Sequence, residues 1–207
     1  MGMNQSQWQI GVDEVGRGPL AGPVMVGAVM VSVEFDWRVL SDVRDSKQLS
    51  AEVREQIYVQ AKQLARQGSL SFVVCRTLPG VIDKIGINPA IQRALNRALA
   101  EVVGQKAVQP TEVRVCLDGG LRAPSNFSNQ ITIIKGDATE SAIGLASIVA
   151  KVTRDRYMSR LAARADYASY DFVSNKGYGT KAHRAAIAQY GLSPQHRRSY
   201  CRNIKVL

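Results

Sequence analysis

Cysteine and histidine are scarce in this chain of 207 residues, which contains three cysteines and two histidines. The cysteines, Cys75, Cys116 and Cys201, are widely spaced and form no C-x-x-C pair, which argues against a zinc site. Cys75 and Cys116 fall in apolar, strand-like runs, where we expect small buried thiols. No Ser-His-Asp set is indicated either. His183 and His196 both lie in a basic C-terminal segment, where we expect a surface or phosphate contact.

Long hydrophobic runs are also missing. The longest uncharged stretch, residues 20–33, is too short to span a bilayer and contains two glycines and a proline. The first nine residues are polar and lack the basic and apolar regions of a secretory signal. These absences, with the unpaired thiols, predict a cytoplasmic protein with reduced cysteines and no membrane partner. We expect a monomer, and the sequence identifies no protein partner.

Acidic residues are absent after Asp171, which makes the charge of the chain uneven. The whole chain has 27 Lys and Arg against 17 Asp and Glu, a net charge of +10. Residues 151–207 carry +9 of it, with 12 basic and three acidic residues, and they also hold six of the seven tyrosines. Basic charge interleaved with aromatic rings is typical of nucleic-acid binding. A solubilising basic surface is the alternative.

The order of the apolar patterns predicts an α/β fold, a mixed five-stranded sheet flanked by helices. We expect strands over residues 8–13, 24–33, 69–78, 112–117 and 130–134. We expect helices over residues 51–67, 88–104, 139–165 and 180–190. Residues 1–170 are interpreted as a catalytic core and residues 171–207 as a small, basic, helical substrate-binding portion packed on it. Residues 175–179 would form a hinge between the two.

Three acidic positions share one pattern. Asp13-Glu14, Asp118 and Asp137 each lie beside glycine, at or just after the end of a predicted strand, where open α/β sheets bind ligands. Converging carboxylates repel one another without a cation, and oxygen ligands favour Mg²⁺ or Mn²⁺ over zinc. Neighbouring residues of a regular strand point to opposite faces, so we expect the strand to end or bulge between Asp13 and Glu14. Each motif taken alone could be a simple turn.

A divalent metal and a polyanion together indicate phosphoryl transfer, in which two ions could activate water and stabilise the leaving oxygen. A Walker A motif is missing from the sequence. Asp155 follows Lys151 by four residues on a predicted helix, so we expect an ion pair there rather than a metal ligand. The alternatives are a nucleic-acid-binding module without catalysis and a metal nuclease that acts on DNA.

Seven blocks of the sequence resemble, in the same order, those of bacterial ribonuclease HII in the RNase H-like superfamily. They are GVDEVGRGPLAGPV at 11–24, DSKQLS at 45–50, LDG at 117–119, KGD at 135–137, ASIVAKVTRDRYM at 146–158, KGYGT at 176–180 and HRRSY at 196–200. The sequence departs from the usual family pattern at Cys116 and at Ile143-Gly144-Leu145. Neither departure touches a catalytic position.

The resemblance implies an RNase H-like fold and a metal-dependent endonuclease that uses Mn²⁺ or Mg²⁺. Its partners would be RNA–DNA hybrids and duplex DNA that contains a ribonucleotide. Cleavage would occur in the RNA strand of hybrids and on the 5′ side of single ribonucleotides, leaving 5′-phosphate ends, as ribonucleotide excision repair requires. Asp13, Glu14, Asp118 and Asp137 would be both the catalytic residues and the metal ligands.

The resemblance also implies a set of substrate-binding residues. Gly16-Arg17-Gly18 would hold the ribonucleotide's 2′-OH through backbone groups, as a tight glycine turn allows. Tyr178 would stack on the neighbouring sugar, although ring chemistry alone does not choose among the C-terminal tyrosines. Lys47, Ser147 and Lys151 would contact phosphates.

Overall fold

A mixed five-stranded sheet forms the centre of the protein. The computed structural model describes residues 6–40, 43 and 48–205. The strands are β1 (Trp8–Val15), β2 (Val24–Ser32), β3 (Leu70–Thr77), β4 (Val113–Asp118) and β5 (Gln130–Ile133). Their order in the sheet is β3-β2-β1-β4-β5. The pairs β1–β2 and β2–β3 are antiparallel, and the pairs β1–β4 and β4–β5 are parallel, which confirms the predicted mixed sheet.

Seven α-helices accompany the sheet in the described ranges. They are α1 (Ala51–Arg66), α2 (Pro79–Ile85), α3 (Ile87–Gly104), α4 (Gly136–Thr139), α5 (Ser141–Ala162), α6 (Phe172–Asn175) and α7 (Lys181–Tyr190). Helix α2 was not predicted; it starts at a proline and is separated from α3 by Gly86, which has φ +84°. The predicted helix over residues 139–165 corresponds to α5, which ends at Ala162, and the short helix α4 precedes it. No helix among the described residues is long and apolar enough to cross a membrane.

The sheet lies between two hydrophobic layers. The side chains of β2 point alternately to the two layers. Those of Val24, Val26, Ala28 and Met30 belong to the layer of α3, and those of Val29 and Val31 belong to the layer of α1 and α5. Because this strand is buried on both faces, it reads in the sequence as a continuous apolar run. Cys75 and Cys116 are buried, as expected, and Cys201 is buried as well.

Helix α5 lies unusually close to the first two strands. A Cβ atom at Gly11 would collide with the backbone of Ala142, and one at Gly27 would collide with the backbone of Ala146. The two glycines therefore allow the helix to approach the sheet. This approach brings Ser147 of α5 beside Asp13 of β1 and so helps to build the site described below.

A third hydrophobic cluster joins the C-terminal residues to the loop between β1 and β2. Leu20 and Ala21 of that loop pack with Met158 of α5 and with Phe172 and Ile187. The backbone of Ala21 also forms a β-bridge with His196. The C-terminal residues therefore pack on the core as a continuous part of its structure.

The expected hinge at residues 175–179 is a packed turn. The Gly177 amide donates to Asn175 Oδ1 at 2.7 Å, and the Gly177 carbonyl accepts from the Leu20 amide at 2.8 Å. Gly177 has φ +85°, and a Cβ atom there would collide with the Ala21 backbone. Hydrogen bonds and close contact therefore hold this turn against the β1–β2 loop.

The prediction that both histidines contact the surface or a phosphate is wrong. His183 is 0% exposed and His196 is 2% exposed, and their Nε2 atoms lie 3.1 Å apart. His183 Nδ1 lies 2.8 Å from the Tyr178 carbonyl, and His196 Nδ1 accepts from the Ser193 amide at 2.9 Å. Burial lowers the pKa of both rings, that of His196 to about 4. Both rings are therefore neutral, and one donates to the other.

Candidate active site

The ends of β1 and β4 bring three carboxylates to one cleft. The parallel pairing of these strands ends at Val12 and Leu117, and Asp13, Glu14 and Asp118 come directly afterwards. All three line a cleft of about 560 Å³. The other lining residues are Val15, Gly16, Arg17, Gly18, Arg54, Ser147, Lys151 and Tyr178. This edge of the sheet is where α/β proteins bind ligands.

The expected break between Asp13 and Glu14 is absent. Strand β1 stays in register with β2 as far as the pair Val15 and Met25. It does, however, extend beyond its pairing with β4, which stops at Val12. The last residues of β1 therefore border the cleft from either face of the strand, so no bulge is needed to bring the two carboxylates to it.

The electrostatics of the cleft favour a bound cation. Asp13 is 7% exposed, and burial, reinforced by the charges of Asp118 and Glu14, raises its pKa to about 7. A hydrogen bond with Ser147 acts in the opposite direction. Burial also raises the pKa of Glu14, although the guanidinium of Arg17, 3.3 Å away, opposes this. A cation among these carboxylates would remove the cost of holding their charges together.

Asp137 lies beside this group rather than in the lining of the cleft. Asp118 Oδ1 accepts a hydrogen bond of 2.7 Å from the amide of Gly136, the first residue of α4. Asp137 follows Gly136 and is 2% exposed. Over the described ranges, no three Asp, Glu, His or Cys side chains stand close enough to hold a metal ion. The fit to Mg²⁺ or Mn²⁺ therefore lies in the donor chemistry, a partly buried set of carboxylate oxygens.

The Gly16-Arg17-Gly18 loop forms one wall of the cleft. Gly16 has φ +88°, and a Cβ atom there would collide with the guanidinium of Arg154. Glycine is thus required at this position for both its conformation and its lack of a side chain. Arg17 is half exposed and bonds to Glu14 and to Asn88 Oδ1, which places its charge at the mouth of the cleft.

Two fully buried arginines hold this loop, and the sequence analysis missed their role. Arg197 donates to the carbonyls of Gly16 at 2.6 Å, Arg17 at 2.9 Å and Gly22 at 3.0 Å. Arg154 donates to the carbonyls of Ala21 at 3.1 Å, Pro23 at 3.0 Å and Lys176 at 3.0 Å.

Burial lowers the pKa of both guanidinium groups, that of Arg197 to about 10. Part of the basic charge of the C-terminal region is therefore structural. A signal for Arg154 exists in the sequence, because it lies one turn from the apolar Ala150 and one turn from Met158 on a predicted helix. An arginine on such a face predicts that at least the aliphatic stem of the side chain is buried.

The remaining predicted substrate residues fall into two groups. Ser147, Lys151 and Tyr178 line the cleft, whereas Lys47 lies outside the described residues. Lys151 Nζ forms the expected ion pair with Asp155 at 2.8 Å. Arg54, which the sequence analysis did not single out, also lines the cleft.

The structure distinguishes the C-terminal tyrosines that the sequence left open. Tyr178 is 44% exposed and lines the cleft. Tyr167 and Tyr170 belong instead to the buried C-terminal cluster. The Tyr200 hydroxyl donates to the Arg17 carbonyl at 3.2 Å. Tyr190 is 55% exposed but is not among the residues that line the cleft, so of these rings Tyr178 is the one presented to a ligand there.

The mixed sheet, its flanking helices and the carboxylates at its strand ends define an RNase H-like protein. The ribonuclease H2 of Pyrococcus horikoshii OT3 superposes with a TM-score of 0.73 and 26% identity, over 96% of this chain and 97% of that one. A structure of Bst-RNase HIII in complex with Mn²⁺ superposes with a TM-score of 0.64 and 21% identity, over 90% and 71% of the two chains. The second likeness concerns the fold alone.

Sequence similarity narrows this class to one family. The model of the Ribonuclease HII family matches residues 10–203. The ribonuclease HII of Thermosynechococcus vestitus is 41% identical over 206 residues, which cover 97% of this chain and 89% of that protein. The chain belongs to the ribonuclease HII family, whose members are metal-dependent endonucleases that cleave RNA in RNA–DNA hybrids.

Proposed function

We propose that this protein cleaves the RNA strand of RNA–DNA hybrids and also incises duplex DNA on the 5′ side of a single ribonucleotide, leaving 5′-phosphate ends. One observation carries the proposal. Three carboxylates, the Gly16-Arg17-Gly18 loop and Tyr178 line the same cleft. That cleft therefore combines groups suited to a metal, to a sugar hydroxyl and to a stacked sugar or base.

The carboxylates are proposed as the metal ligands. Asp13, Glu14 and Asp118 would hold the ions directly from the cleft, and Asp137 would join them from α4. When bound, two ions would activate water and stabilise the leaving oxygen of the phosphodiester. Mn²⁺ or Mg²⁺ suits this oxygen-only donor set.

Recognition of the ribonucleotide is assigned to the loop and to Tyr178. The loop would meet the 2′-OH, which alone distinguishes RNA from DNA at one nucleotide, through backbone groups. The buried guanidinium of Arg197 donates to three carbonyls of this region, so the loop would have its binding conformation before the substrate arrives. Tyr178 would stack on the adjoining sugar, and Ser147, Lys151 and Lys47 would contact phosphates.

The remaining proposals concern organisation and biology. Residues 171–207 would form a substrate-binding portion of a monomer, with residues 1–170 as the catalytic core. Incision beside a single ribonucleotide would begin ribonucleotide excision repair. A reducing cytoplasm suits the three cysteines, which are free and buried.

The test is cleavage of a duplex that contains one ribonucleotide, with Mg²⁺ or Mn²⁺ present. We expect one cut on its 5′ side, no cut in an all-DNA duplex and no activity with a chelator. Asp118→Asn should abolish turnover, because the variant loses a carboxylate of the cleft. Asp166→Asn is the matched control, since Asp166 is exposed and pairs only loosely with Arg164.

Each alternative has its own outcome. Equal cutting of the all-DNA duplex would identify a DNA nuclease. Tight binding without any cutting would identify a binding module. Normal turnover by Asp118→Asn would remove this carboxylate from the reaction.

A further inference from the structure

A second cavity adjoins the cleft, between α1 and α5. We call it the α1–α5 cavity; its volume is about 370 Å³, and its lining includes Ser159 and Arg160 of α5 and Lys176. Arg54 of α1 lines both this cavity and the cleft, so the two openings are neighbours on one surface. Lys176 belongs to the KGYGT block of the family resemblance but was given no role there, and Arg160 was used neither by the resemblance nor by the proposed chemistry.

The acidic residues of the α1–α5 cavity already have cationic partners. Glu55 accepts two hydrogen bonds from Arg156, whose guanidinium also lies 4.4 Å from the ring centre of Tyr58. Asp155 pairs with Lys151 at 2.8 Å. These pairs leave the charge of the cavity positive, because Arg160 and Lys176 line it as well.

Lys176 and Arg160 present their charges differently from the paired cations. Lys176 Nζ bonds to the neutral hydroxyl of Ser159 at 3.0 Å, so no carboxylate offsets its charge in this contact. Arg160 is exposed on the last turns of α5. A lysine and an arginine beside a hydroxyl, in an open cavity, are suited to bind an anion with several oxygens.

The turn that carries Lys176 connects the two cavities. Lys176 has φ +49°, and its carbonyl accepts a bond of 3.0 Å from buried Arg154. Two residues later, Tyr178 lines the cleft. The same turn therefore places the Lys176 ammonium in the α1–α5 cavity and the Tyr178 ring in the cleft. A nucleic-acid strand that stacks on that ring would carry its neighbouring phosphates towards the cation.

We propose that the α1–α5 cavity binds a backbone phosphate of the nucleic acid that occupies the cleft, with Lys176 and Arg160 as its cationic contacts. This inference rests on the proposed function, because it takes the bound polyanion to be the substrate. The site extends the footprint of the duplex beyond the carboxylates. It contributes to affinity independently of which sugar lies in the cleft, since phosphates carry no sequence or sugar identity.

The experiment measures binding of a fluorescent duplex with one ribonucleotide by anisotropy, at several salt concentrations and with a chelator to prevent cleavage. Arg160→Gln and Lys176→Gln should each weaken binding by about tenfold at low salt. The double variant should flatten the slope of log Kd against log salt by about 0.9, the value for one phosphate, and each single variant should flatten it by part of that amount. The weakening should be the same for an all-DNA duplex.

Arg97→Gln is the matched control. Arg97 lies on α3, in the layer on the other face of the sheet, where it forms an exposed pair with Glu101. Its loss changes the net charge equally but should leave the salt slope unchanged. An unchanged slope for Arg160→Gln and Lys176→Gln, or the same flattening in all three variants, would overturn the proposed site. Failure of the wild-type protein to cut the ribonucleotide duplex would instead overturn the proposed function.

Discussion

Arg197 offers the sharpest test of how this fold prepares its cleft. It is 0% exposed and donates to the carbonyls of Gly16, Arg17 and Gly22. Arg197→Met keeps the length and apolar stem of the side chain but removes every donor. Three carbonyls would then lose a charge-assisted hydrogen bond, each worth about 1.5–3 kcal/mol. Part of this loss of stability would be offset, because the variant has no guanidinium charge to remove from water on folding. We expect a net loss of about 3–5 kcal/mol of unfolding free energy.

The assay pairs urea unfolding with cleavage of the single-ribonucleotide duplex. A loss of that size corresponds to a fall of about 10 °C in Tm for a chain of this length. In the folded fraction, cleavage beside the ribonucleotide should fall as well, because the loop loses its support. Arg198→Met is the control, since Arg198 is the exposed neighbour on the same segment. If both variants unfold at the same urea concentration, the carbonyl contacts of Arg197 contribute nothing and the reasoning is refuted.

Three further predictions follow from the buried groups. Asp13→Asn should end turnover yet raise the metal-free unfolding free energy by a few kcal/mol at pH 8. The reason is that the Asp13 carboxylate, with its pKa of about 7, is ionised at pH 8 in a buried position, which destabilises the folded state. Calorimetry showing no gain would contradict this. In that same variant, stability should fall by about 2 kcal/mol from pH 7 to pH 5. His196 has a pKa of about 4 in the folded protein, below the usual value of about 6.5 for histidine, so unfolding frees its ring to take up a proton over this range. Native Asp13 gains a proton on folding over this range and offsets that fall, so urea titrations of the wild type should be flatter. Gly16→Ala should impair cleavage more than Gly18→Ala, since a Cβ atom at Gly16 meets Arg154 and one at Gly18 meets nothing within 4 Å; equal rates would contradict the steric argument.

Local patterns predicted the sheet and most helices because their causes are local. Ser50 caps α1 through the Val53 amide at 3.2 Å, as the sequence around it indicates. The strand-end carboxylates could be found for a similar reason, since parallel strands finish at one edge. The number of strands and the mixed α/β class follow from the same patterns.

Features that depend on contacts between residues far apart in the sequence could not be predicted from those local patterns. The histidines are buried because His183 and His196 meet each other and an aromatic cluster, across 13 positions of chain. The position of Tyr178 in the cleft depends on the turn at Gly177, which packs on Ala21. Likewise, β1 needs no bulge because β4 ends its pairing first, and neither strand alone shows this.

The basic C-terminal charge therefore serves two purposes that composition alone cannot separate. Arg154 and Arg197 are buried and bind backbone carbonyls, so their charge is used inside the protein to hold the β1–β2 loop. Arg160 and Lys176 remain at the surface, where a polyanion can reach them. Deleting residues 172–207 would remove cations of both kinds and collapse the loop along with the binding surface. The single substitutions separate the effects. Loss of Arg197 should lower stability, whereas loss of Arg160 should weaken binding and reduce its salt dependence without lowering stability.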